Sequence, residues 1–360
     1  MEGATGVVKF RFACFFEYFV MKQIEFDDSF RAKVLGDDCF LSYANEIGYY
    51  TGIKRDRTDI LKLVVERMWS EFLPLITGIN NTPKTYDGLL DTTVSLASTF
   101  DENRFNQEID LKRPTDAEME ANSDKVLATI EPEKDIKKKT ITASHLDRLE
   151  KLWVLAARIL KNTEECSEPG LKEYAYSKIL TASMSYAVLF RISLKRKFAE
   201  KKKTGEEVDE FLSAMNLLLP LLHQVVLNGL MGSKKLVRVF EEKIEADLGN
   251  DAVSEFERYL SIFLYADSHG PKAQAYIKQF VASIKNRYMF DMSLFKLVEY
   301  FFFKSATEEA ERLYKNMMAD IIVKSKGLKK EKKSVIMVGY EREKLVKKFR
   351  GETEEEDSGV

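Results

Sequence analysis

The side chains best equipped for chemistry are few and scattered. The three cysteines, Cys14, Cys39 and Cys166, lie far apart with no C-x-x-C spacing, so reduced core thiols in a reducing compartment are expected. The three histidines, His145, His223 and His269, form neither an H-x-x-x-H pair nor a cluster with cysteine, which argues against zinc. The carboxylate pairs Glu164/Glu165, Glu206/Glu207 and Glu241/Glu242 are sequence neighbours. On a helix such neighbours point about 100° apart and do not converge. Nucleophile-elbow, zinc-protease, dinucleotide and Cys–His signatures are missing. The expectation is a protein that is not an enzyme and takes no metal and no cofactor. Distant residues meeting in space leave an unfamiliar active site open.

The cations are more organised. The chain has 360 residues, 45% hydrophobic and 32% charged, with a formal net charge of −2. That is apolar mass for one large domain or two modest ones. It provides no global cationic field, so nucleic acid would have to be held by local basic patches. Arg191, Lys195, Arg196 and Lys197 run into Lys201, Lys202 and Lys203. A second patch, Ser233, Lys234 and Lys235, follows the two glycines of LNGLMG at 227–232, where a turn between helices is expected. The phosphate-loop spacing GxxxxGK[ST] is absent there. Lys137–Lys139 reads as a solvated charge run.

The elements that must hold these residues read as helices. Residues 58–76 carry one broad apolar face, with Thr58 as the expected N-cap and Pro74 ending or kinking the helix. Residues 77–143 read as a polar linker or loop-rich excursion: breakers accumulate, and 101–139 hold 11 acidic and 8 basic side chains. From 144 to 323 the pattern is nearly continuous helix, with capping boxes at Thr204/Glu207 and Ser305/Glu308. Residues 1–76 form an aromatic-rich N-terminal arm and helical segment, suited to core packing or to docking on a neighbouring subunit. A short strand at 10–12 is also allowed. Residues 324–360 form a basic, then acidic tail, opening with six lysines and one glutamate at 324–333. The expected fold is all-α, a helical bundle with two lobes divided near 143 and extended or mobile terminal arms. The apolar run Phe12–Met21, interrupted by Glu17, is shorter than the about 20 residues that span a bilayer, so a soluble, intracellular chain without a membrane partner is expected.

The stretch from Ala273 to Ile322 carries a family pattern. AQAYI at 273–277, RY at 287–288, DMSL at 291–294, YFFF at 300–303 and SATEEAERLYKNMMA at 305–319 resemble the AEAYI, RYG, D-x-S-L, YAFDFYE and S-x-T-x-x-A-x-x-x-x-x-M-x-A segments of one family. It is the coat-protein core of flexible filamentous plant viruses, the potyvirus-like ones in particular. Upstream, LNGLM at 227–231 is similar to the family's N-G-L-M, and Arg258 falls where its L-R-Q arginine would. The match is good over about 50 residues. The family's WCIENGTSP is missing after 231, and its FDF aspartate falls on Glu299 or Tyr300.

The resemblance implies an α-helical subunit that polymerises along single-stranded RNA, holds it without sequence specificity, and contacts its neighbours through terminal arms as a homo-oligomer. Helical viral nucleocapsid proteins share that broad design. Carried over, Ser233 takes the place of the RNA-contacting serine, Arg258 that of the arginine, and Glu299 that of the acidic residue that orients Arg258. The rival readings are a helix cap for Ser233, a surface arginine for Arg258, and for Glu299 a half-buried helix partner of Lys296 or another cation. Together the expected RNA-binding set is Arg191, Lys195, Arg196, Ser233, Lys234, Lys235 and Arg258. The expected location is virion and host cytoplasm, or cytoplasm if the chain is not viral. The alternative is a non-enzymatic helical scaffold or protein-interaction module, in which the basic runs are solvated faces.

Overall fold

The computed structural model describes residues 13–36, 39–79, 86–87, 145–204, 210–303, 307–325, 327–329 and 333. Twelve α-helices and two short 3-10 turns account for the regular structure, with no strand among the described residues; the fold is all-α. Helices fall in two compact units. The first contains α1 (Ala13–Phe26), α2 (Asp28–Val34), α3 (Ala44–Ile53), α4 (Thr58–Gly78), α5 (His145–Asn162) and the beginning of α6 (Leu171–Thr204). The second takes up α6 from Ala187 and adds α7 (Glu210–Met231), α8 (Val237–Asp247), α9 (Glu255–Asp267), α10 (Ala273–Ser283), α11 (Arg287–Phe303) and α12 (Glu308–Ser325). Tyr86 and Asp87 also belong to the second unit. The division therefore falls inside α6. The boundary expected near 143, Lys137–Lys139, the 10–12 alternation, Glu207, Ser305 and the tail beyond 333 lie outside the described residues.

In the first unit α4 and α5 form the main pair, and α3 packs on both α1 and α5. The apolar stripe of α4 is Ile60, Leu61, Val64, Val65, Met68, Phe72 and Ile76, all buried. Each such side chain withdraws about 1.5–3 kcal/mol of apolar surface from water. The expected cap of this helix is corrected, and of the two roles expected of Pro74, ending or kinking, the ending is excluded. Pro74 does not end it, because the helix continues to Gly78; the buried Ile76 holds the last turn against the core. Thr58 is not the cap. Arg57 occupies that position without a side-chain bond, and the Thr58 hydroxyl donates back to the Asp56 carbonyl at 3.2 Å.

In the second unit α9 is central. It buries Phe256, Tyr259, Leu260, Ile262, Phe263, Leu264 and Tyr265, so it is apolar nearly all round, as a helix surrounded by others must be. Helices α7, α8, α10 and α11 all pack on it, and α12 closes over α10 and α11. The Ser254 hydroxyl accepts from Glu257 N at 3.0 Å and fixes where α9 starts. At α12, Thr307 Oγ1 accepts from Ala310 N at 3.2 Å, and Glu308, Glu309 and Glu311 in the first turn suit the helix dipole.

Candidate nucleic-acid interface

The basic run on α6 is split by the helix itself. Ala187, Val188, Arg191 and Leu194 share one side and are buried; Lys195, Arg196, Lys197 and Lys203 are exposed. From 191 to 203 the sequence holds seven basic residues and one acidic residue, Glu200. The last of these lie at the C-terminal end of α6, where the helix dipole favours cations. Among the described residues, Lys195, Arg196, Lys197, Lys203 and Lys234 make no ion pair. Elsewhere in the unit many cations are neutralised. Lys243 meets Asp247 at 2.6 Å and Glu257 at 2.7 Å. Lys272 meets Glu241 at 2.7 Å and Glu245 at 3.0 Å, and Arg238 meets Glu242 at 2.8 Å. Partial burial, and then the charge of Arg191, hold the Lys195 ammonium below its ordinary value.

Arg191 itself is a correction. It is 2% exposed, and its guanidinium lies 5.5 Å from the centre of the Tyr288 ring. Its place on the buried side of α6 makes it a packing residue rather than one offered to solvent. Burial pushes the Tyr288 hydroxyl up, against the pull of the Arg191 charge.

Ser233, Lys234 and Lys235 occupy the turn after α7. Ser233 Oγ accepts from Lys235 N at 3.2 Å, which starts the 3-10 turn Lys234–Leu236, and buried Leu236 anchors it. Both lysines are exposed. The expected inter-helix turn begins at Gly232, because Gly229 is still helical. At Gly232 a Cβ would stand 2.2 Å from Asn228 Oδ1 and 2.5 Å from its carbonyl oxygen. Only glycine lets the chain leave α7 there.

Arg258 stands apart from these lysines in kind. It lines a cavity of about 700 Å³ together with Asp87, Asp247, Asp251, Glu255 and Lys285, so acids outnumber bases around it. Its Nη2 donates to the Asn250 carbonyl. The acids are mostly committed. Asp87 accepts from the N–H groups of Glu255 and Phe256 at 3.1 and 3.2 Å and caps α9. Glu255 accepts from the N–H groups of Lys285 and Asn286 at 2.8 and 3.0 Å, just before α11. Asn286 Nδ2 reaches the Asp87 carbonyl at 3.4 Å, which closes a ring of three residues. Burial raises the Asp87 carboxyl, with its two backbone donors pulling the other way.

Glu299 is the second correction. Its carboxylate meets Lys296 at 2.7 Å, one helical turn away on α11; the i, i+3 spacing makes this the near partner, and Arg258 is held by Asn250. Lys296 is 1% exposed and also meets Asp267 at 3.1 Å. Asp267 further accepts from Tyr300 OH at 2.7 Å and from Gln224 Nε2 at 2.7 Å. Glu299 and Tyr300, the two residues competing for one family position, thus sit on the outer and inner side of one buried cluster. The Lys296–Glu299 pair follows the rival reading; its link to Asp267, Gln224 and Tyr300 escaped the sequence.

No protein-family model matches the chain, and no curated protein or solved structure matches it. Among the described residues no helix is long and apolar enough to cross a membrane.

Proposed function

We propose that the chain is an RNA-coating structural protein, a helical subunit that holds single-stranded RNA without reading its sequence and polymerises along it as a viral coat or nucleocapsid protein does. The observation that carries this reading is the exposed trio Lys195, Arg196 and Lys197 on α6, which makes no ion pair among the described residues. Such cations release counterions when they meet phosphate, a sequence-independent and salt-dependent gain. Lys195, Arg196 and Lys197 would supply the charge, and Ser233, Lys234 and Lys235 a second contact. Polymerisation through terminal arms, and a location in virion and host cytoplasm, rest on the family resemblance of 273–322. Protein purified at low salt should carry RNA, bind mixed single strands, and form filaments or rings in negative stain. RNA-free protein that binds no single strand refutes the reading.

One observation favours a helical scaffold instead. Leu222, Val225 and Val226 are exposed on α7 at i, i+3 and i+4, the kind of face a protein partner covers. An RNA-free monomer with a defined protein partner would support that alternative.

A further inference from the structure

A second cation-bearing surface, in the first unit, has a different make-up. Helix α4 turns Val65, Met68 and Phe72 into the core, which leaves Glu66, Trp69 and Leu73 along its outer side at i, i+3 and i+7. Leu73 is 48% exposed, and Trp69 is half-buried. On α6, Tyr174 and Lys178 are one turn apart, and Tyr174 is 42% exposed. The Tyr174 hydroxyl donates to Glu66 Oε1 at 2.9 Å and ties the two helices' outer faces together. The Lys178 ammonium lies 3.4 Å from the centre of the Trp69 ring and 5.4 Å from that of Tyr174. Among the described residues it makes no ion pair. The result is a half-buried indole at the surface with the end of a flexible lysine over its ring.

We propose that Trp69, Tyr174 and Lys178 form a nucleotide platform for single-stranded RNA: a base stacks on the indole face, and the displaced Lys178 ammonium takes the adjoining phosphate. The proposal rests on the RNA-binding reading above but assigns a separate site to it. Relative magnitudes favour the exchange. An exposed cation–π contact shifts an equilibrium by roughly two- to five-fold, whereas stacking a base on an aromatic ring is worth roughly five- to 150-fold. The ammonium loses its ring but keeps its reach, since its four-carbon stem is flexible and the charge is a compact point. Glu66 keeps its negative charge while it accepts from Tyr174, so it subtracts from the phosphate contact, and base stacking supplies the larger part of the gain. Every base has a π-face, so the platform discriminates little among sequences.

The chain's two tryptophans make this directly readable, because Trp153 is 2% exposed and Trp69 is not buried. Oligoadenylate is titrated into the full-length chain while tryptophan emission is followed. Quenching should saturate with binding, persist in Trp153→Phe and vanish in Trp69→Leu. Trp69→Leu should also weaken affinity by roughly five- to 150-fold. Lys178→Gln, which keeps the indole, should retain quenching and lower the slope of log affinity against log salt by about 0.7. Unchanged far-UV circular dichroism of all three variants checks folding. Full affinity in Trp69→Leu, or binding by the wild type without any change in Trp69 emission, overturns the platform and leaves the α6 interface standing. A wild type that neither binds oligoadenylate at low salt nor changes emission overturns both.

Discussion

Replacing Lys296 by methionine tests the buried cluster of the second unit. The side chain keeps its length, so packing is nearly conserved and the loss is one of charge. Lys296 and Asp267 are 1% and 3% exposed, 3.1 Å apart. Without the ammonium, Asp267 loses the cation 3.1 Å away and retains the Gln224 and Tyr300 donors. Breaking a buried pair by removing one partner costs about 3–5 kcal/mol. The two remaining donors place this case near the lower end, about 3 kcal/mol. At about 2–4 °C per kcal/mol for a body of 150–250 residues, the transition of the second unit should fall by about 6–12 °C. Differential scanning calorimetry is the suitable assay, since it separates two transitions where one averaged signal would not. Lys296→Met/Asp267→Asn should recover most of the loss, because the amide oxygen still accepts from neutral donors and no charge is stranded. Glu299→Gln should cost no more than about 1 kcal/mol, because that carboxylate is 38% exposed and screened. A fall below about 2 °C in Lys296→Met, or a double variant no better than the single one, would refute the assignment of a buried charge pair.

Two other outcomes follow from the geometry. Glu46 is 7% exposed on α3; burial raises its carboxyl, Glu17 adds to the rise, and a backbone N–H opposes it. A folded-state value above the unfolded one means the folded chain binds the proton more tightly. The charged form therefore costs stability at neutral pH, and the cost disappears as pH falls below the unfolded carboxyl value. Glu46→Gln should raise the first unit's melting temperature at neutral pH and flatten its rise on acidification; a variant with the wild-type pH profile contradicts this. Gly232→Ala places a methyl 2.5 Å from the Asn228 carbonyl oxygen. Overpacking of that kind costs about 1–3 kcal/mol, measurable by denaturant titration, and should also lower RNA affinity through the displaced Ser233–Lys235 turn.

Much of the fold was legible because apolar periodicity dominates it. The stripes of α4 and α5 and the three consecutive helices from Ala273 onward appear where their spacing put them. What escaped was set by tertiary context. Pro74 lies within a helix because Ile76 still has a core to reach. Arg191 reads as part of a basic run, yet it shares a side of α6 with the buried Ala187, Val188 and Leu194. Arg258 was placed by resemblance among RNA contacts, whereas the acids around it are Asp87 from a distant segment and Asp247, Asp251 and Glu255 just before it in the chain. For Glu299 the resemblance pointed to Arg258, while the helical spacing to Lys296, the rival reading, is the contact that forms. The Asp267–Lys296 pair joins residues 29 apart, and no local pattern announces which lone charges will meet.

The central claim is that the α6 lysines and arginine hold single-stranded RNA through its phosphates. The most direct measurement is the affinity of the full chain for a mixed-sequence oligoribonucleotide across a series of salt concentrations, compared with Lys195→Ala/Arg196→Ala/Lys197→Ala. Each phosphate contact on a single strand contributes about 0.7 to the slope of log affinity against log salt, so loss of three contacts should lower it by about 2. Affinity at low salt should fall equally for unrelated sequences. An unchanged slope and affinity in the triple variant, or a wild type that binds no RNA, contradicts the claim.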